Sequence, residues 1–152
     1  MATDAVDNFN DENGDKISAL IAHLQLIPHP EGGHYREIFR APAADGGRSA
    51  VTSIYYLLGA GERSVWHRID ATEIWHYHDG APLNLWLGQG GEATCHLLGP
   101  DIAAGQQSQI VVPPGMWQAA ESTGDYTLVG CTVAPGFEFD GFELAPDDVL
   151  PA

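Results

Sequence analysis

Lysine is almost missing from this chain. Lys16 stands alone beside five arginines, and 21 aspartates and glutamates bring the formal net charge to −15. So acidic a surface repels phosphate backbones, and no nucleic-acid partner is expected. Cysteine is scarce too. Cys95 and Cys131 are too few for a disulfide framework and lack the spacing of a metal site. They read as reduced thiols of a cytoplasmic protein. No apolar run approaches the ~18 residues of a membrane helix, so no membrane partner is expected. The opening "MATDAVDNFNDENGDK" has no basic region followed by an apolar one, and it does not read as a secretory signal.

Turn formers, in contrast, are plentiful, with Gly 18 and Pro 10 in 152 residues. Hydrophobic residues at 44% against 18% charged fit a soluble globular chain. Residues 1–14 are rich in Asp and Asn, have little to bury, and read as a disordered acidic tail. Asp15 can cap a helix in which Ile17, Leu20, Ile21 and Leu24 share one face. Pro28 and Pro30 stop it, and Gly32 and Gly33 turn the chain.

Beyond this turn the apolar period changes to two. "HYREIFR", "SAVTSIYYLL", "SVWHRI", "EIWHYH", "LNLWLG", "ATCHLLG", "QIVVP", "WQAAE", "YTLVGCTVA" and "FEFDGFEL" follow one another. Most are separated by Gly, Pro or Asp pairs. Many short strands with regular turn signals predict an all-β sandwich or barrel after a short N-terminal helix. Residues 15–152 read as a single domain.

The stretch "GERSVWHRIDATEIWHYHDG" (61–80) carries three of the seven histidines. Gly61, His67, Glu73 and Gly80, followed by Pro113 and Gly115, stand at the spacings of the two-part cupin signature. "LIPHPEGGHYREIFR", "SIYYLL", "WHRIDATEIWH", "VVPPGMWQAA" and "LVGCTVAPGFEFDGFELA" resemble the small cupins of the fifth cupin family, long filed as a domain of unknown function. The resemblance covers about residues 17–145. It implies an RmlC-like jelly roll, a double-stranded β-helix, paired as a homodimer. Four signature positions depart: Ile69 for a histidine, Gln107 for a glycine, Gln118 for a histidine and Ser122 for an asparagine.

In that barrel alternate side chains face the lumen. If Glu73 points inward, so do Trp75 and Tyr77, while His76 and His78 face the opposite sheet surface or an interface. RmlC-like epimerases work by proton transfer without a metal. The resemblance thus implies an epimerase or isomerase for a sugar-like or carbonyl substrate, with His67 as base, Glu73 orienting it and Tyr77 as acid. Trp75, Gln118, Arg36 and His76 are the candidate ligand-binding residues around a small molecule. Two alternatives stand beside this reading. One is a metal enzyme, an isomerase or dioxygenase, holding a divalent ion on His67, Glu73 and Gln118. An amide is a weak ligand there, so no cofactor is assigned. The other is a binding module without turnover.

Overall fold

The computed structural model describes residues 4–146. The chain begins in helix α1 (Asp4–Leu24) and then runs through eleven strands: β1 (Ile27–Pro28), β2 (His34–Arg40), β3 (Thr52–Gly59), β4 (Arg63–Ile69), β5 (Thr72–Gly80), β6 (Leu83–Gln89), β7 (Glu92–Leu98), β8 (Gln109–Val112), β9 (Trp117–Ser122), β10 (Tyr126–Ala134) and β11 (Phe142–Leu144). One sheet has the order β1-β2-β3-β10-β5-β8, and the other β11-β4-β9-β6-β7. Every pairing between these strands is antiparallel. The fold is therefore the all-β one after an N-terminal helix expected from the turn spacing, and the jelly roll that the resemblance implies. Among the described residues no helix is long and apolar enough to cross a membrane.

The helix is longer than its apolar spacing predicts. It starts at Asp4, not Asp15, so the segment read as a tail is helical from Asp4 onward. Residues 1–3 lie outside the described residues. Among the described side chains, packing lies in the last turns, where Ile17, Leu20, Ile21 and Leu24 rest against Leu26, Leu57, Tyr126 and Leu128.

Between the sheets, alternation builds the main core from Tyr56, Leu58, Trp75, Leu83, Leu85, Leu98, Ile110 and Val112, among others. A smaller cluster of Ile69, Ala71 and Val133 carries Phe137 and Phe142 at one end. Two local irregularities set the direction of the polar side chains inside the barrel. In β4 the register slips between Ser64 and His67, so three residues of β4 span two of β9. That bulge places Ser64 and His67, three apart, on the same inward face. Before β2, the Gly32–Gly33 turn is pressed into the barrel. Gly32 has φ 112°, and a Cβ there would collide with the Arg63 carbonyl oxygen. Only glycine accepts both constraints.

Candidate functional site

A cavity of about 460 Å³ opens at the end of the barrel capped by Phe137 and Phe142. His67, Glu31 and Glu73 line its interior, with Tyr35, Ile54, Tyr56 and Cys131. Phe137, Phe139, Phe142, Glu37, Arg40, Glu138 and Asp140 line its outer part. His67 is only 2% exposed, Glu31 6% and Glu73 7%.

The imidazole of His67 is fixed from both sides. Its Nδ1 lies 2.7 Å from the Val65 carbonyl oxygen. A carbonyl can only accept, so Nδ1 carries a hydrogen. Its Nε2 lies 3.0 Å from Glu31 Oε2. With Nδ1–H committed, a neutral ring offers Glu31 a lone pair, and a carboxylate would offer another. The contact therefore needs a proton, on Nε2 or on Glu31. Burial raises the Glu31 carboxyl and lowers the His67 imidazole. Both shifts favour the uncharged pair, in which a Glu31 carboxyl donates to Nε2. Its other oxygen accepts from Ser64 Oγ at 2.9 Å, the residue that the β4 bulge turns inward.

The turn delivers Glu31 to this position. Glu31 carbonyl oxygen accepts from Val65 N–H at 3.1 Å, and Gly32 N–H donates to His29 carbonyl oxygen at 3.0 Å. Tyr56 hydroxyl donates to Gly32 carbonyl oxygen. Glu31 N–H donates to His29 Nδ1 at 3.0 Å. That makes Nδ1 an acceptor and leaves the ring hydrogen of His29 on Nε2. Burial also lowers the His29 pKa, which keeps the ring neutral.

Glu73 belongs to a second chain of hydrogen bonds. Trp75 Nε1 donates to Gln118 Oε1 at 2.8 Å, and Gln118 Nε2 donates to Glu73 Oε2 at 3.2 Å. Trp75 and Gln118 are fully buried. Burial pushes the Glu73 carboxyl up to about 7, so at neutral pH it exists in both forms.

Of the residues expected from sequence, the cavity brings together His67 and Glu73. Trp75 and Gln118 lie behind Glu73 and hold it. Glu73 and Trp75 face inward on β5, and His76 faces the other way, its Nε2 3.2 Å from Thr132 Oγ1. His78 is exposed and meets Tyr55 edge-on. Tyr77 packs on the core, but its hydroxyl donates to Gly80 carbonyl oxygen at 2.6 Å and its ring does not line the cavity. Arg36 Nη1 reaches Leu24 carbonyl oxygen at 3.4 Å, on the helix side. Arg40, which lies past the β2 register slip between Glu37 and Phe39 and so on the other face, lines the cavity instead.

The residue that sequence reasoning missed is Glu31, and with it the roles of His29 and Tyr56. A signal was present. A carboxylate directly before two glycines in "PEGG" is the sort of side chain that a deeply pressed turn can carry inward.

A metal set of three histidines and a glutamate, at the cupin-signature positions 67, 69, 118 and 73, does not fit these residues. Ile69 offers no donor atom, both ends of the Gln118 amide are engaged, and His67 Nε2 is occupied by Glu31. Among the described residues no three His, Cys, Asp or Glu side chains are grouped to hold a metal ion.

Comparison with known proteins agrees with this architecture. The model of the family described as "Cupin superfamily (DUF985)" matches residues 18–145. An uncharacterized protein of Saccharomyces cerevisiae is 29% identical over 145 residues, which cover 82% of this chain and 72% of that protein. The solved structure of a hypothetical protein from Leishmania major matches with a TM-score of 0.79 and 31% identity, over 87% of this chain and 88% of that one. A protein of Shewanella oneidensis matches with a TM-score of 0.79 and 42% identity, over 84% and 82%. Oxalate decarboxylase from Bacillus subtilis, at 11% identity and a TM-score of 0.59, shares the fold alone.

Proposed function

The chain belongs to the DUF985 family of the cupin superfamily, and on that premise we propose that its cavity binds a small carbonyl compound, sugar-like in size, and moves a proton on it as an epimerase or isomerase does. The observation that carries this reading is a pair of separately bonded proton stations lining one cavity: Glu73, held by Gln118, and Glu31, held against His67. Proton abstraction beside a carbonyl needs a base with a pKa near the working pH and a separate donor to return a proton.

Glu73 suits the first role. Its carboxyl, pushed up to about 7 by burial, is a stronger base than an exposed carboxylate and is still partly ionised at neutral pH. It takes the proton as the C–H bond breaks, and the electron pair moves onto the carbonyl oxygen. The Glu31–His67 pair suits the second role, since it holds one proton that returns to carbon or oxygen of the enol. Tyr77, expected from sequence as the acid, has no part in this version because its hydroxyl is spent on Gly80.

Hydrogen exchange tests this without a named substrate. A panel of ketoses, aldoses and small keto acids is incubated with the protein in D2O, and carbon-bound deuterium is followed by NMR. Incorporation into at least one compound is expected. His67→Gln and Glu73→Gln should slow it by about 10²-fold or more, the usual contribution of a positioned acid or base. Exchange at the wild-type rate in both variants sinks the proposal.

A further inference from the structure

The outer part of the same cavity selects for charge. Among the described residues Arg40 is the only lysine or arginine that lines it, and that guanidinium is already taken. Its Nε and Nη2 donate to both Glu37 oxygens at 2.8 and 2.9 Å, and Nη2 also donates to Phe137 carbonyl oxygen at 2.9 Å. Arg48, the next arginine along the chain, is held by Asp70 through two bonds of 3.0 and 2.7 Å. Glu138 and Asp140 line the cavity with no ion pair closer than 4 Å among the described residues, although the Glu138 charge acts on Arg40 and Arg48. A phosphate arriving here meets three carboxylates, Glu37, Glu138 and Asp140, against one guanidinium that is already bonded to the first of them.

Aromatic rings alternate with those acids in "FEFDGF". Phe137 and Phe139 meet edge-to-face with centroids 4.9 Å apart, and Phe142 lies 6.1 and 6.3 Å from them. Phe139 is 54% exposed, a large ring left in water at the opening. Phe142 in turn lies 5.4 Å from the His67 ring. The three phenylalanines thus form a continuous apolar path from solvent to the Glu31–His67 pair. Ring faces flanked by carboxylates bind cations, because the quadrupole and the full charges attract in the same sense. The fit is to a compound with a flat apolar face and an ammonium group.

We infer that the ligand of this cavity is an amine-bearing, unphosphorylated small molecule whose ammonium group sits among Phe139, Glu138 and Asp140. This rests on the proposal that the cavity is a ligand site, and it narrows the carbonyl compound to an aminated one. It also separates this cavity from sites that recognise nucleotide or phosphate groups by arginine.

Benzylammonium, benzyl alcohol and benzyl phosphate share a ring and differ in the charge beside it. Titration of the full chain with each, followed by NMR or calorimetry at low salt, ranks them. Benzylammonium should bind about tenfold more tightly than the alcohol, and the phosphate more weakly than either. The double variant Glu138→Gln/Asp140→Asn should bring the ammonium close to the alcohol. Glu92→Gln, an acid removed from β7 away from the cavity lining, should leave the ranking as it was. The inference is overturned if the phosphate binds as tightly as the ammonium, if benzylammonium gains nothing over the alcohol or does not bind, or if the double variant leaves the ranking unmoved. Deuterium exchange reads the inner proton stations and this ranking reads the outer charges, so either idea can fail without the other.

Discussion

Glu73→Gln exchanges a titrating carboxyl for a neutral amide of nearly the same shape. The hydrogen bond from Gln118 survives, because the new carbonyl oxygen accepts it as Oε2 does now. The added amide hydrogens fall on a group that lines the cavity, where water can meet them. The cost of ionising a buried carboxyl disappears. In the fold that group has its pKa raised from 4.5 to about 7 by burial. At about 1.4 kcal/mol per unit, ionised Glu73 lowers the stability of the folded state by about 3 kcal/mol.

The sign follows from linkage. A raised folded pKa means that the contribution is fully present below pH 4.5, where Glu73 is protonated in both states, and is lost as pH rises through about 7. Wild type and Glu73→Gln should thus be similar in stability near pH 4.5. Above pH 7 the variant should be the more stable, by about 3 kcal/mol, or roughly 6–12 °C for a domain of this size. His67 and Glu31 act on the Glu73 charge in opposite senses, His67 lowering its pKa and Glu31 raising it. Urea unfolding at a series of pH values from 4.5 to 8.5 measures it directly. Parallel curves, with a difference that stays within about 1 kcal/mol over that range, would mean that Glu73 titrates as an ordinary carboxyl; the base assigned to the cavity would then go with it.

Three further outcomes are expected. Gly32→Ala puts a Cβ against the Arg63 carbonyl at φ 112°; it should cost at least about 2 kcal/mol in urea unfolding and displace Glu31, seen as a changed His67 imidazole signal in 15N NMR. Trp75→Phe leaves the buried Gln118 Oε1 without its donor, which should cost about 1–3 kcal/mol beyond the lost ring volume, checked by thermal unfolding at one pH. Tyr77→Phe removes only the donation to Gly80, so about 1 kcal/mol of stability should go while deuterium exchange continues at the wild-type rate.

Much of the fold was legible because its signals are local. Strand positions follow from the period of two, and the inward face of β5 follows from assigning Glu73 to the lumen. His76 and His78 could be separated from Glu73 by counting alone. The site was legible only where it lies on regular strands. His67 and Glu73 are strand residues at fixed spacing. Glu31 is a turn residue, and a turn's direction depends on which strand it packs against, in this case β4 through the Val65 amide. Strict alternation also puts Ser64 and His67 on opposite faces. The β4 bulge that unites them leaves no mark in "RSVWH", since it is a property of the pairing with β9. Tyr77 shows the converse. Its parity was right, yet a side chain on the inner face of a long barrel strand can reach the far end of the core and miss the cavity.

These features bear on one another. The cupin frame provides an imidazole at His67 and a carboxylate at Glu73, and in a metal site an ion would hold both. Here Ile69 withholds the second imidazole, and Glu31 takes the position against His67 Nε2 that an ion would need. Three local conditions let it do so: a turn that only glycine can make at Gly32, a bulge that brings Ser64 to the second oxygen, and a Val65 carbonyl that commits Nδ1 as a donor. Burial favours the protonated form of the acid facing the imidazole, and a second buried acid lining the same cavity keeps its proton up to about pH 7. The arrangement is costly to fold, since each carboxyl loses water. That cost raises both carboxyls and brings Glu73 to about 7, a property that the proposed proton transfer beside a carbonyl would use.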